Sequence, residues 1–153
     1  MKIADELLSK LHTRYLKPLG FKKKGHTFSR PHAAYAEYYN IQGSAWNSAD
    51  KPWRFYINVG ISFTDIPLHT NVVGMWKYHS HARLPLFVRT APPDYDIDPA
   101  NLNQVLEQLA DDFSKCSEYF SRRHAILKES YLKNRYIQNG RFLYDPELKE
   151  PSQ

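Results

Sequence analysis

The sequence predicts an α+β domain: an N-terminal helix, an antiparallel sheet of three to four strands, and two C-terminal helices packed on one sheet face. Three stretches carry that expectation. Over residues 51–63, Trp53, Phe55, Ile57, Val59, Ile61 and Phe63 fall at every second position, with Arg54, Tyr56, Asn58, Gly60 and Ser62 between them. Side chains alternate across a strand, so this run has one dry face and one polar face. Over 102–120, Leu102, Val105, Leu106, Leu109, Phe113, Cys116 and Phe120 recur at helical steps, and near the start Ile3, Leu7, Leu8, Leu11, Tyr15 and Leu16 do the same.

The elements follow in order. Residues 2–17 form an amphipathic helix that Pro18 stops, with Gly20 in the exit turn. A glycine-bounded basic patch at 20–25 then leads into a short strand at about 26–30, which Pro31 ends. A tyrosine-rich strand is expected over 34–42, where Tyr39 and Ile41 match the dry face and Tyr38, Asn40 and Gln42 the other. Residues 43–52 have loop composition, so 34–42 and 53–63 make a hairpin with a long loop. Beyond Thr64 the pattern weakens, with Pro67 and Gly74 interrupting it; one strand is expected within 79–89, Pro85 implying an edge or a bulge. Residues 90–99 read as a loop, Asp98 as a helix N-cap and Pro99 as the first helical position. The first C-terminal helix is expected over 102–120 and the second over about 121–137, with Ile126, Leu127, Tyr131 and Tyr136 inward. Residues 1–145 are taken as one domain and 146–153 as an irregular tail.

At 153 residues, 42% hydrophobic, the chain is long enough to bury a core without disulfides or a metal. The lone cysteine, Cys116, permits no intrachain disulfide and sits in the helical stripe, which makes burial its expected fate. No apolar run suits a signal peptide or a spanning helix, so a soluble cytoplasmic protein with no membrane partner is expected. The net charge of +5 is banded: residues 1–30 hold eight basic and two acidic residues, 93–112 six acidic and none basic, and 115–135 six basic and two acidic. Glycine-rich nucleotide loops, nucleophile elbows and zinc-protease signatures are absent, no cofactor is expected, and the balance is against an enzyme. Asp111 and Asp112 read as helix surface. His79 and His81 would share a strand face, but a third ligand, whether His69, His32 or an acid from 94–98, has no defined geometry, so no metal site is assigned.

Two groups of residues remain as candidate sites. Tyr38, Asn40 and Gln42 would lie beside Arg54, Tyr56 and Asn58 on paired strands, within about 5 Å. Amides and phenols so placed can read a peptide, a nucleoside or a partner loop; equally, they can satisfy a neighbouring loop and cover the sheet. The second group is Lys22, Lys23 and Lys24 with Arg30, whose charges suit phosphate beside the stacking faces of Phe21, Phe28 and Tyr35, or simply solvate a turn.

The order Leu19-Gly20-Phe21-Lys22-Lys23-Lys24-Gly25, then Phe28 and Arg30, then Gln42, Ser44, Trp46 and Asn47, then Phe55, Asn58 and Gly60 resembles the DUF4304 family of uncharacterised bacterial proteins over about residues 5–63. The stretch 76–83 is similar to that family in composition alone. The resemblance implies a fold and little chemistry; that some relatives occur near bacterial toxin systems implies an immunity-type inhibitor as one role. The leading expectation is a non-enzymatic domain that recognises another protein through the hairpin face and the 43–52 loop, with Trp46 and Arg54 as anchors. The net positive charge means that a basic target would have to engage the 93–112 band. A nucleic-acid-binding module using 22–30 is the second expectation, and a small-ligand pocket over Asn40, Gln42 and Asn58 the third.

Overall fold

The computed structural model describes residues 2–48, 51–67, 78–134 and 145–148. Its sheet has six antiparallel strands: β1 (Lys22–Lys24), β2 (Thr27–Pro31), β3 (Tyr35–Gly43), β4 (Trp53–Phe63), β5 (Ser80–Arg83) and β6 (Tyr95–Ile97). They run in the order β1-β2-β3-β4-β5, and β6 pairs with β4 beside β5. The hairpin is in register along its whole length, from Tyr35 opposite Phe63 to Gly43 opposite Phe55. The far edge of β4 is divided: its first three residues pair with β6 and residues 58–61 with β5.

The sheet therefore exceeds the three to four strands expected. The extra strands are three residues each, too short to show alternation. One is wholly lysine, a composition that suits a solvated edge and discourages another chain from adding to it. The other, Tyr95–Ile97, lies in the stretch expected to be loop; Tyr95 and Ile97 turn inward opposite Phe55 and Trp53 while Asp96 faces out. Pro85 is not within a strand but in the 3-10 turn Leu84–Leu86 that follows β5.

Both helices cover the dry face. The first, α1 (Ile3–Lys10), does not continue as an α-helix to residue 17 as expected. It widens into a π-helical stretch, Leu11–Leu16, then tightens into a 3-10 turn, Lys17–Leu19. The wide turn places Leu11 and Leu16, five residues apart, together in the core, and relieves the clash that Pro18 would make with a carbonyl four residues back. Gly20 closes the segment at φ 94°, in the left-handed region that a glycine adopts freely.

The second, α2 (Leu102–Asn134), is one helix of 33 residues where two were expected. No Gly or Pro lies between 102 and 134, so nothing ends the helix near residue 120, and its stripe runs on through Leu127 and Tyr131. At about 1.5 Å per residue it is roughly 50 Å long. Asp98 was expected as the N-cap with Pro99 as the first helical position, but the helix starts at Leu102 and Pro99 lies in the turn before it. Asp98 fastens that turn, its Oδ1 accepting from the N–H groups of Ala100 (2.8 Å) and Asn101 (3.1 Å), while the Asn101 side chain accepts from the N–H of Asp98. Tyr39 stacks on Phe113 at 4.5 Å, and Phe55 lies between Trp53 and Tyr95 at 5.3 and 5.2 Å. Residues 68–77, 135–137 of the second expected helix, Gly140 and residues 149–153 of the expected tail lie outside the described residues.

Candidate functional site

The hairpin loop leaves β3 through a tight, internally bonded turn. The N–H of Ser44 donates to the carbonyl of Arg54 (2.9 Å) and the N–H of Asn47 to the carbonyl of Ser44 (3.3 Å). Asn47 then acts as a piece of strand: its side-chain amide donates to the carbonyl of Arg54 and accepts from the N–H of Arg54, both at 2.8 Å. Ser44 Oγ accepts from the N–H of Trp46 at 3.2 Å. The turn is thereby fastened to the root of β4, and it holds Trp46 out at 90% exposure.

Beneath that indole lies a cleft of about 320 Å³ lined by Ser44, Trp46, Asn47, Lys51, Pro52, Arg54, Tyr56 and Asp96. Arg54 makes a two-pronged pair with Asp96, Nε to Oδ1 at 2.9 Å and an Nη2 to Oδ2 at 3.1 Å, with Asp94 3.8 Å away. Those hydrogen bonds hold the Asp96 carboxyl below its usual range and keep the guanidinium charged.

Farther along the polar face, register aligns Lys24, Thr27, Asn40, Asn58 and Arg83 in one row across five strands. Asn58, 6% exposed, donates its two amide hydrogens to Asn40 Oδ1 and Gln42 Oε1, each at 3.0 Å, and Asn40 donates to Thr27 at 3.1 Å. Arg83 reaches Gln42 and lies over the Tyr56 ring, 4.7 Å from its centroid. Tyr38 meets Tyr78 at 4.5 Å, and Tyr78 lies so close over Gly60 that a Cβ there would fall 2.6 Å from its ring. Of the seven residues expected to bind a partner, Trp46, Arg54 and Tyr56 line the cleft. Asn40, Gln42 and Asn58 bond to one another beside it, and Tyr38 lies under Tyr78.

The basic group separates. Lys22, Lys23 and Lys24 are exposed along β1, Lys22 and Lys24 on the polar face opposite Ser29 and Thr27. Arg30 faces the other way, with Glu37 as its cross-strand partner. There it stacks on Phe21 at 4.6 Å and bonds to Glu37, Ser117 and the carbonyl of Leu19.

Glu37 is the residue that pattern reading passed over. Its side chain is 0% exposed, on the dry face, held by Arg30, His32, Ser117 and the Tyr39 hydroxyl. Parity with Tyr39 and Ile41 was the available signal, since it turns Glu37 inward. His32 also stacks on Tyr35 at 4.4 Å, and His124 stacks at 4.5 Å on Tyr35. Burial, with the Glu37 charge next, pushes the Tyr35 phenol up to about 12.

Burial likewise pushes up the Cys116 thiol, fully enclosed in the core, which leaves it a poor nucleophile. Asp112 is not surface as expected: it is buried beneath β6, takes a 2.7 Å hydrogen bond from Tyr95, and burial raises its carboxyl. His79 and His81 do not share a face. The strand begins at Ser80, so the His79 ring turns into the core against Phe63 and Tyr131 while His81 is opposite Gly60. His69 lies outside the described residues. Among the described residues, no three His, Cys, Asp or Glu side chains are grouped to hold a metal, and no helix is long and apolar enough to cross a membrane.

A family model described as a domain of unknown function, DUF4304, matches residues 12–116. No curated protein and no solved structure matches the chain.

Proposed function

The chain belongs to the DUF4304 family, and from that premise we propose that it is a non-enzymatic recognition domain whose partner is another protein. One observation carries the reading: a tryptophan at 90% exposure, on a turn pinned through Ser44 and Asn47 to the hairpin root. A turn whose backbone is already fixed loses little conformational freedom on docking, and buried Trp and Arg anchors commonly dominate interface energy. Ser44, Trp46 and Asn47 are also residues on which the family resemblance rests, so the turn and its display belong together. Arg54 and Tyr56 form the floor beside it, and the bonded amides of Asn40, Gln42 and Asn58 stiffen the strands that carry them. An immunity-type inhibitor is one form of such a domain.

Affinity capture from the source cells with wild-type protein, followed by calorimetry on the purified partner, tests this. Trp46→Ala combined with Arg54→Ala is expected to weaken binding at least ~30-fold, about 2 kcal/mol. Because Trp46 packs on little, Trp46→Ala alone should leave the melting temperature unchanged. A genuine partner that binds the double variant as tightly as the wild type would show the assignment to be wrong.

A further inference from the structure

The distribution of ion pairs narrows the partner's chemistry. On the helical side most cations of α2 are neutralised locally, Lys115 by Asp111, Arg122 by Glu118 and Glu147, Arg123 by Asp145, Lys128 by Asp65 and Lys133 by Glu129, as is Lys10 by Glu6, while Lys2, Arg14 and Lys17 have no salt-bridge partner among the described residues. Most of the acidic band is likewise engaged within the molecule, Asp96 on Arg54, Asp98 on the turn before α2, Asp111 on Lys115 and Asp112 on Tyr95. Lys22, Lys24, Lys51 and Arg83 have no salt-bridge partner among the described residues. Four of the unpaired cations therefore lie on the polar face of the sheet and at the cleft. Lys24 and Arg83 end the same cross-strand row, four strand spacings or roughly 19 Å apart, with hydrogen-bonded neutral side chains between them.

We propose that the occupant of this face is an acidic protein segment, its carboxylates meeting Lys22, Lys24, Lys51 and Arg83 and an apolar side chain packing on Trp46. The inference rests on the protein-recognition reading and gives that reading its charge. Opposite potentials across an interface steer encounter and exclude wrong partners. A single-stranded nucleic acid would use the same cations but also needs successive open rings for its bases. Among the described residues, the Tyr56 ring lies against Arg83 and the Tyr38 ring against Tyr78, which leaves Trp46 as the most exposed ring on this part of the sheet.

Fluorescence anisotropy with labelled twelve-residue probes tests it: a peptide of three Glu-Glu-Leu-Glu repeats, its Gln counterpart, its Lys counterpart, and oligothymidylate of the same length. The Glu peptide should bind at least tenfold tighter than the other three, weaken at least tenfold from 50 to 300 mM salt, and weaken at least tenfold in the Lys22→Gln, Lys24→Gln, Arg83→Gln variant. These positions are exposed, and circular dichroism of the variant checks that it folds. If the Gln peptide binds as well as the Glu peptide and depends on Trp46, the acidic partner is excluded while protein recognition stands. If oligothymidylate binds and no peptide does, both fall. No binding of the Glu peptide at millimolar concentration also overturns the inference.

Discussion

Glu37 puts a carboxylate where the strand pattern asks for an apolar side chain, and the surroundings show what keeps it there. Arg30 and His32 arrive from the neighbouring strand and its turn, Tyr39 from the same strand, and Ser117 from α2, so both oxygens are engaged inside the core. A buried ion pair adds little against a well-packed apolar alternative, but removing one partner leaves the other uncompensated. Glu37→Ala should therefore cost about 3–5 kcal/mol in urea denaturation, whereas Glu37→Gln, which keeps an acceptor for Tyr39 and Ser117, should cost less. This residue was legible in part. Parity alone turned it inward; that Arg30 would follow it, and so leave the lysine patch, depended on the β2–β3 register, which no local pattern encodes.

Elements whose own sequence repeats with a clear period were readable, and those held in place by a neighbour were not. The strand over 53–63 and the stripe over 102–120 have enough residues for alternation or helical spacing to show. The three-residue strands Lys22–Lys24 and Tyr95–Ile97 exist because an edge of a longer strand was open to them. The break expected near residue 120 is the instructive error: the apolar stripe drifts around a long helix as the surface beneath it changes, and a drift in pattern is not a break in the backbone. Ser121 is exposed in the middle of α2. Ser121→Pro would remove an intrahelical hydrogen bond and clash with the carbonyl of Ser117, so it should cost ~3 kcal/mol or more by thermal or urea unfolding. Tolerance of that proline would mean that the helix is not continuous there.

At the scale of the molecule, the segment 145–148 is fastened to α2 by the buried carboxylate of Asp145 and, at the surface, by Glu147 on Arg122 and Arg123. Asp145 pairs with Arg123, accepts from Tyr119 at 2.8 Å and from the N–H of Glu147 at 3.0 Å, and Leu148 packs against the core. The Arg123 hydrogen bond is the largest cause holding its carboxyl down to about 2. A depressed acid stabilises the fold above its unfolded pKa, near 4, and loses that contribution as pH falls toward 2. About two pKa units correspond to about 2–3 kcal/mol. Urea unfolding between pH 5 and 2 should show this loss in the wild type, and Asp145→Asn should be weaker at pH 7 and flatter with acid; equal slopes for the two proteins would rule the contribution out.

By itself the sequence determined the α+β class, the β3–β4 hairpin with its dry and polar faces, and the exposed turn residues, because each is written in a local period or a turn composition. The tertiary structure alone decided which charges remain available. It turned Arg30 onto Glu37, Asp96 onto Arg54 and Asp112 onto Tyr95, while Lys22, Lys24, Lys51 and Arg83 were left toward solvent. Charge in a sequence is a count. Whether it reaches a partner depends on which opposite charge the fold brings within hydrogen-bonding distance, and that is set by strand register and helix placement across the whole chain.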